Sequence, residues 1–204
     1  MTMETTDLTE LRRIAEEGRN LPMLGGAHFI LWGSALPLAA LYHWLLMSGY
    51  IDMPYWTLTV CWFGMAAIAG LLSNLLARRQ RTRMGTETLA NRVERGVWQA
   101  AGAMFAIIAL GLATHAAVFS TDPRAWSYFA LLAPITFGVY GIAIKASAVS
   151  ARADWLKPYI FLSFALTAIT ALMVGSIWLY LIFTLGIAAL SLSLGVDLLR
   201  RERG

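Results

Sequence analysis

The sequence predicts an all-α polytopic membrane protein with six transmembrane helices in three hairpins and both termini cytoplasmic. Three observations carry that prediction. Of 204 residues, 58% are hydrophobic and 14% charged, where soluble domains run about 45–50% and about 25%. The apolar residues gather into six runs, each close to the roughly 20 residues a helix needs to cross about 30 Å of hydrocarbon. The Lys and Arg residues fall almost wholly into the N-terminal segment, the tail and every second connection. A soluble chain of this size would have to hide all six runs in one core and lacks the volume to do so. Soluble enzyme, nucleic-acid binder and disordered chain are thereby excluded as descriptions of the whole.

Residues 1–22, MTMETTDLTELRRIAEEGRNLP, are polar and mixed in charge. With no apolar stretch before a small-residue cleavage site, the segment is not expected to be a signal peptide. Asp7-Leu8-Thr9-Glu10 has the character of a capping arrangement, and Leu8, Leu11, Ile14 and Ala15 share one face, so a cytoplasmic amphipathic helix is expected. It leans on the membrane or on the next cytoplasmic connection; a sharper reading makes it a docking helix for a cytoplasmic partner. The transmembrane domain, residues 23–199, holds spans at about 25–47, 55–77, 97–119, 126–148, 157–175 and 177–198. Within the Arg-rich connection 78–96, Leu89, Val93 and Val97 recur at helical spacing, so that stretch is expected to run into the third span as helix. Short connections carrying Pro54, Pro123 and Gly175-Ser176 read as turns, and residues 200–204 form a basic tail. Irregular backbone exposed to lipid is not tolerated at bilayer depth, which leaves helices as the only reading of the runs.

Basic residues set the orientation. Arg12, Arg13 and Arg19 precede the first span. Arg78, Arg79, Arg81, Arg83, Arg92 and Arg95 lie between the second and third, and Lys145, Arg152 and Lys157 flank the connection between the fourth and fifth. Arg200, Arg201 and Arg203 close the chain. That places 15 of the 16 Lys and Arg on one side and only Arg124 on the other. The net charge of +4 is therefore topological and is expected to meet the anionic lipids of the bilayer rather than nucleic acid. Tyr50, Tyr55, Trp56, Trp126, Tyr128, Trp178 and Tyr180 gather at the outer ends of the spans, with Trp98 and Trp155 at inner ends, as an interfacial aromatic belt requires. Small residues at four-residue spacing mark packing seams, with a homo-oligomer face as one use: Ser163, Thr167, Ala171 and Gly175; Ala109, Ala113 and Ala117; Ala66, Gly70 and Asn74.

Chemistry-bearing residues are few. Cys61 is the only cysteine, so no intrachain disulfide exists. The sequence contains no HExxH, GxSxG, Walker or GxGxxG pattern, and no metal site is expected. No acidic residue is expected at mid-membrane, which weighs against proton- or sodium-coupled transport. Asp197 is expected to pair with Arg200 or Arg201 at the interface. His43 and His115, on different spans, are expected at similar depth toward the outer face. If the first and third spans are neighbours, the two imidazoles form the ligand pair of a b-type haem. The competing reading makes them hydrogen-bonded interfacial histidines, with no cofactor.

Glu16-Glu17-Gly18-Arg19, Gly25-Gly26, Leu31-Trp32-Gly33, Tyr140-Gly141 and the closing LYLIFTLGIAALSLSLG resemble a group of small six-span bacterial inner-membrane proteins of uncharacterised function. The resemblance implies topology and a bacterial inner-membrane location, and carries over no catalytic or binding residue. The expected function is a non-enzymatic accessory or regulatory one. Alternatives are a small transporter-like unit for a neutral or hydrophobic solute, and a haem- or quinone-binding protein using His43 and His115.

Overall fold

A computed structural model of the chain describes residues 25–80, 89–121 and 123–203. The amphipathic helix expected within residues 1–22 lies outside the described residues, as does the middle of the Arg-rich connection. Every regular element among the described residues is helical. The first span is α1, Gly26–Met47, and the second is α2, Trp56–Gln80. The third is α3, Leu89–Thr114, which ends in a π-helical turn at His115–Phe119. A 3-10 helix, Pro123–Leu131, leads into α4, Leu132–Ala151, and a 3-10 turn, Asp154–Leu156, leads into α5, Lys157–Leu172. The sixth span is one rod of α6, Trp178–Ile187, a π turn at Ala188–Leu192, and α7, Ser193–Arg203.

By length and composition, six helical stretches suit a membrane crossing: Gly26–Met47, Trp56–Arg79, Asn91–Phe119, Ser127–Ala151, Asp154–Leu172 and Trp178–Glu202. The chain is thus a multi-pass membrane protein by these criteria. The largest departure from the sequence boundaries is at the third span, which begins six residues earlier because the expected helix at 86–96 joins it from Leu89. The turns after the first and fifth spans use Gly49 and Gly175 at φ +76° and +87°, a region that costs other residues a clash at Cβ.

The first span packs against the second and along the full length of the sixth, and the fourth lies between the third and the fifth. Where these two groups of helices meet, Phe137, Leu179, Ile187 and Leu190 are wholly buried and the Phe137 and Phe183 rings stand 5.4 Å apart. Nearer the end that holds Gly25 and the C-terminus, Phe29, Trp98 and Tyr140 make edge-to-face contacts at 5.3 and 4.8 Å, tying the first, third and fourth spans together. Half of the apolar window of the fourth and sixth spans is buried, against 6% for the second and third. The second and third spans therefore stand at the rim of the bundle.

Lipid is as apolar as a leucine side chain, so close approach of helices rather than escape from water holds such a bundle together. Small residues supply that approach between the first and sixth spans. A Cβ built on Gly33 would lie 2.8 Å from Ser191 Cβ, one on Gly26 2.9 Å from Leu199 Cγ, and one on Gly195 3.0 Å from the Gly26 carbonyl oxygen. The fourth and fifth spans are equally close: Gly141 faces the Phe164 ring, and Ser163 Oγ donates to the Phe137 carbonyl at 2.6 Å. Of the small-residue stripe expected on the fifth span, Ser163 and Thr167 face the fourth, Ala171 is exposed and Gly175 makes the turn.

Candidate functional site

Three places inside the bundle bring together polar side chains from different spans with possible functional use. The first surrounds His43. Its Nδ1 accepts a hydrogen bond from Trp62 Nε1 at 3.1 Å, and its ring stacks on Tyr180 at 3.6 Å with 20° between planes. One histidine thus joins the first, second and sixth spans. A neighbouring bond, Tyr42 hydroxyl to Thr57 Oγ1 at 2.7 Å, repeats the link between the first two. His115 stands apart from this arrangement: it is exposed at the π turn ending the third span, and its ring neighbour is Tyr128 at 6.0 Å. An acceptor at His43 Nδ1 means that the proton of the neutral ring sits on Nε2. Metal or haem ligation through Nε2 needs the opposite tautomer and would forfeit the Trp62 bond. Among the described residues, no three of His, Cys, Asp or Glu stand close enough together to hold a metal ion.

The second place is the middle of the first–sixth seam. Ser191 Oγ donates to the Phe29 carbonyl at 2.8 Å, and Ser191 is wholly buried. The π turn at Ala188–Leu192 carries Ser191 into the seam, opposite the bare face of Gly33. The Ser191 hydroxyl is thus satisfied within the protein, as burial requires.

The third place is the end of the bundle where Gly25, Glu94 and the C-terminal turn of the sixth span converge. Glu94 is only 5% exposed and Asn91, three residues earlier, 6%. The Glu94 carboxylate lies so close over Gly25 that any Cβ there would collide with Oε1. Gly25 is the N-cap of α1 and has no side chain of its own to cap the free N–H groups. Glu94 therefore lies against the N-terminal end of α1. Glu202 is a like charge close enough to act on it. His28 Nε2 lies 3.2 Å from the Ser73 carbonyl oxygen, tying the first span to the second.

Asp197 was expected to pair with an arginine one turn on. Instead Tyr159 donates its hydroxyl to Asp197 Oδ2 at 2.6 Å, across to the fifth span. Arg201 is left with its guanidinium carbon 4.1 Å from the centre of the Trp155 ring.

Sequence reasoning singled out His43 and missed Trp62 and Tyr180 as its partners, and it missed Glu94, Ser191 and Tyr159 altogether. A signal for Glu94 was present: Asn91, Glu94 and Trp98 share one helical face, and the apolar member shows which way that face turns. For Ser191 the signal is absent, because a π turn shifts the helical register without marking the sequence. Comparison with known proteins finds no matching family model, no matching curated protein and no matching solved structure.

Proposed function

We propose that this chain is a non-enzymatic accessory or regulatory protein of a bacterial inner membrane, with both termini cytoplasmic and its spans arranged as three outward-pointing hairpins. The bacterial inner-membrane assignment follows the resemblance to small six-span proteins, and the orientation follows the one-sided distribution of Lys and Arg. One observation supports the accessory role: the outer faces of α2 and α3 carry glycines and, among the described residues, face no other helix. A Cβ at Gly64 or Gly70 on α2, or at Gly102 or Gly111 on α3, would meet no heavy atom within 4 Å. Glycines in the first–sixth and fourth–fifth seams do the opposite and are filled. Glycine in a helix interior costs roughly 1 kcal/mol relative to alanine in water, and in membranes close backbone approach is its usual return. Exposed Asn74, whose Nδ2 donates to the Gly70 carbonyl at 2.9 Å, adds a polar group to the same surface of α2. The occupant is a helix of a partner membrane protein or of a second copy.

The test is photo-cross-linking in native membranes from a residue analogue placed at Gly70, Gly102 or, as a filled control, Gly138. A discrete protein adduct from either open position, absent from Gly138, is expected, and mass spectrometry of the adduct separates a foreign partner from a second copy. Adducts to lipid alone from Gly70 and Gly102 would sink the accessory reading.

A further inference from the structure

Resting on the same membrane reading, we propose that Arg201 and Trp155 seat the phosphate of an anionic phospholipid where the fifth and sixth spans leave the bilayer. The Arg201 guanidinium carbon lies over the Trp155 ring, 4.1 Å from its centre, a cation–π contact that holds the group while its N–H donors can meet an acceptor. A stacked guanidinium is pre-organised for two parallel bonds to phosphate oxygens, geometry that a lysine ammonium lacks.

Three further features prepare the seat. The carboxylate one turn before Arg201, Asp197, is turned to the Tyr159 hydroxyl at 2.6 Å, so among the described residues no ion pair occupies the guanidinium. Tyr159 also meets Trp155 edge to face at 6.2 Å, which fixes the ring on which Arg201 rests. Arg152 and Arg200 are exposed in the same two segments. Lys157 is exposed as well, though tied to Asp154 at 3.0 Å. The surrounding charge thus favours an anion.

Position decides for a lipid over a free phosphate. Trp155 precedes the first turn of α5, and Arg201 lies in the last turn of α7. Exposed Phe161 and Val196 lie one to two turns inward along these helices, so both helices pass from polar to apolar surface at this level. An aromatic ring at the junction of polar and apolar surface marks headgroup depth.

The experiment uses the purified full chain in mild detergent, titrated with phosphatidylglycerol or phosphatidylcholine, with bound lipid counted by native mass spectrometry. Phosphatidylglycerol is expected to bind in preference. Arg201→Gln should weaken its binding about fivefold, the factor expected for one basic residue at an anionic surface, and Lys145→Gln should leave it unchanged. Arg201→Lys should recover less than half of the loss, since charge returns without the flat stack. Equal losses from Arg201→Gln and Lys145→Gln, full recovery by Arg201→Lys, or no preference for phosphatidylglycerol would each overturn the proposal. Cross-linking from α2 and α3 reports separately: its failure with lipid selectivity intact removes only the accessory role, and the converse removes only the lipid seat.

Discussion

Adding one methyl group at Gly33 and the same methyl group at Gly64 should move stability in opposite directions. Both glycines lie inside spans, so the intrinsic gain from alanine is shared, at most about 1 kcal/mol each. Their surroundings differ. At Gly33 the new Cβ would stand 2.8 Å from Ser191 Cβ, 3.0 Å from its Oγ and 3.1 Å from Leu192 Cδ2, whereas at Gly64 nothing lies within 4 Å. Overpacking a filled seam costs about 1–3 kcal/mol. Ser191 cannot retreat without stretching its 2.8 Å bond to the Phe29 carbonyl, worth about 0.6 kcal/mol on average in a membrane protein. The net expectation is a loss of roughly 1–2 kcal/mol for Gly33→Ala and a gain of up to about 1 kcal/mol for Gly64→Ala. Thermal unfolding in mild detergent, followed by circular dichroism, reads the difference at about 2–4 °C per kcal/mol for a chain of this size. Gly138→Ala, where the Cβ would meet Thr167 at 3.8 Å, should fall between them. A Gly33→Ala protein that melts at or above Gly64→Ala would refute the claim that the first and sixth spans are held by close approach.

The other expectations rest on individual bonds. Trp62→Phe removes the donor to His43 Nδ1 and should cost about 1 kcal/mol. Trp44→Phe should cost less, because its buried indole N–H has no hydrogen-bond acceptor among the described residues; equal losses in thermal unfolding would contradict this contrast. Nitrogen-15 chemical shifts should report the Nε2–H tautomer of His43, whereas a haem-ligating ring would carry its proton on Nδ1. Tyr159→Phe deletes the 2.6 Å bond to Asp197 and, discounted for its partly exposed position, should destabilise by about 1 kcal/mol. A reporter fused after Gly204 should be active only in its cytoplasmic form; periplasmic activity would invert the assigned topology.

The coarse architecture was legible because hydrocarbon thickness and helical rise constrain it so tightly. A run such as 25–47 is long enough to cross and has no other way to satisfy its backbone. Which spans are neighbours was much less legible. In water, an amphipathic stripe tells a helix where its partners lie, but here both lipid and neighbouring helices accept leucine, and the stripe vanishes. The surviving signal is the placement of small residues, and it is ambiguous: Gly33 is filled by Ser191 while Gly64 and Gly70 face open space, although nothing local in the sequence separates them. The stripe on the fifth span was read correctly for Ser163 and Thr167, yet only the fold shows that it ends before Ala171.

The polar residues separate by a different rule, set by how many directions a side chain must satisfy at once. His43 is conspicuous in sequence as a potential ligand, but its ring spends its Nδ1 acceptor on Trp62 and one face on Tyr180. A residue bonded so fully within the bundle is holding three spans in register. Glu94 is inconspicuous, one charge in an Arg-rich connection, yet it is the acidic side chain turned furthest from solvent among the described residues, lying against the N-terminal end of α1. Arg201 shows the reverse: its sequence neighbour Asp197 suggests a closed ion pair, whereas Asp197 accepts from the Tyr159 hydroxyl and the guanidinium lies over Trp155. In each case charge and spacing identify who is near along the helix, while the partner that decides the role comes from another span. The inner histidine and carboxylate are therefore read as fasteners, and the sites able to meet something outside the chain are the open glycine faces and the stacked arginine.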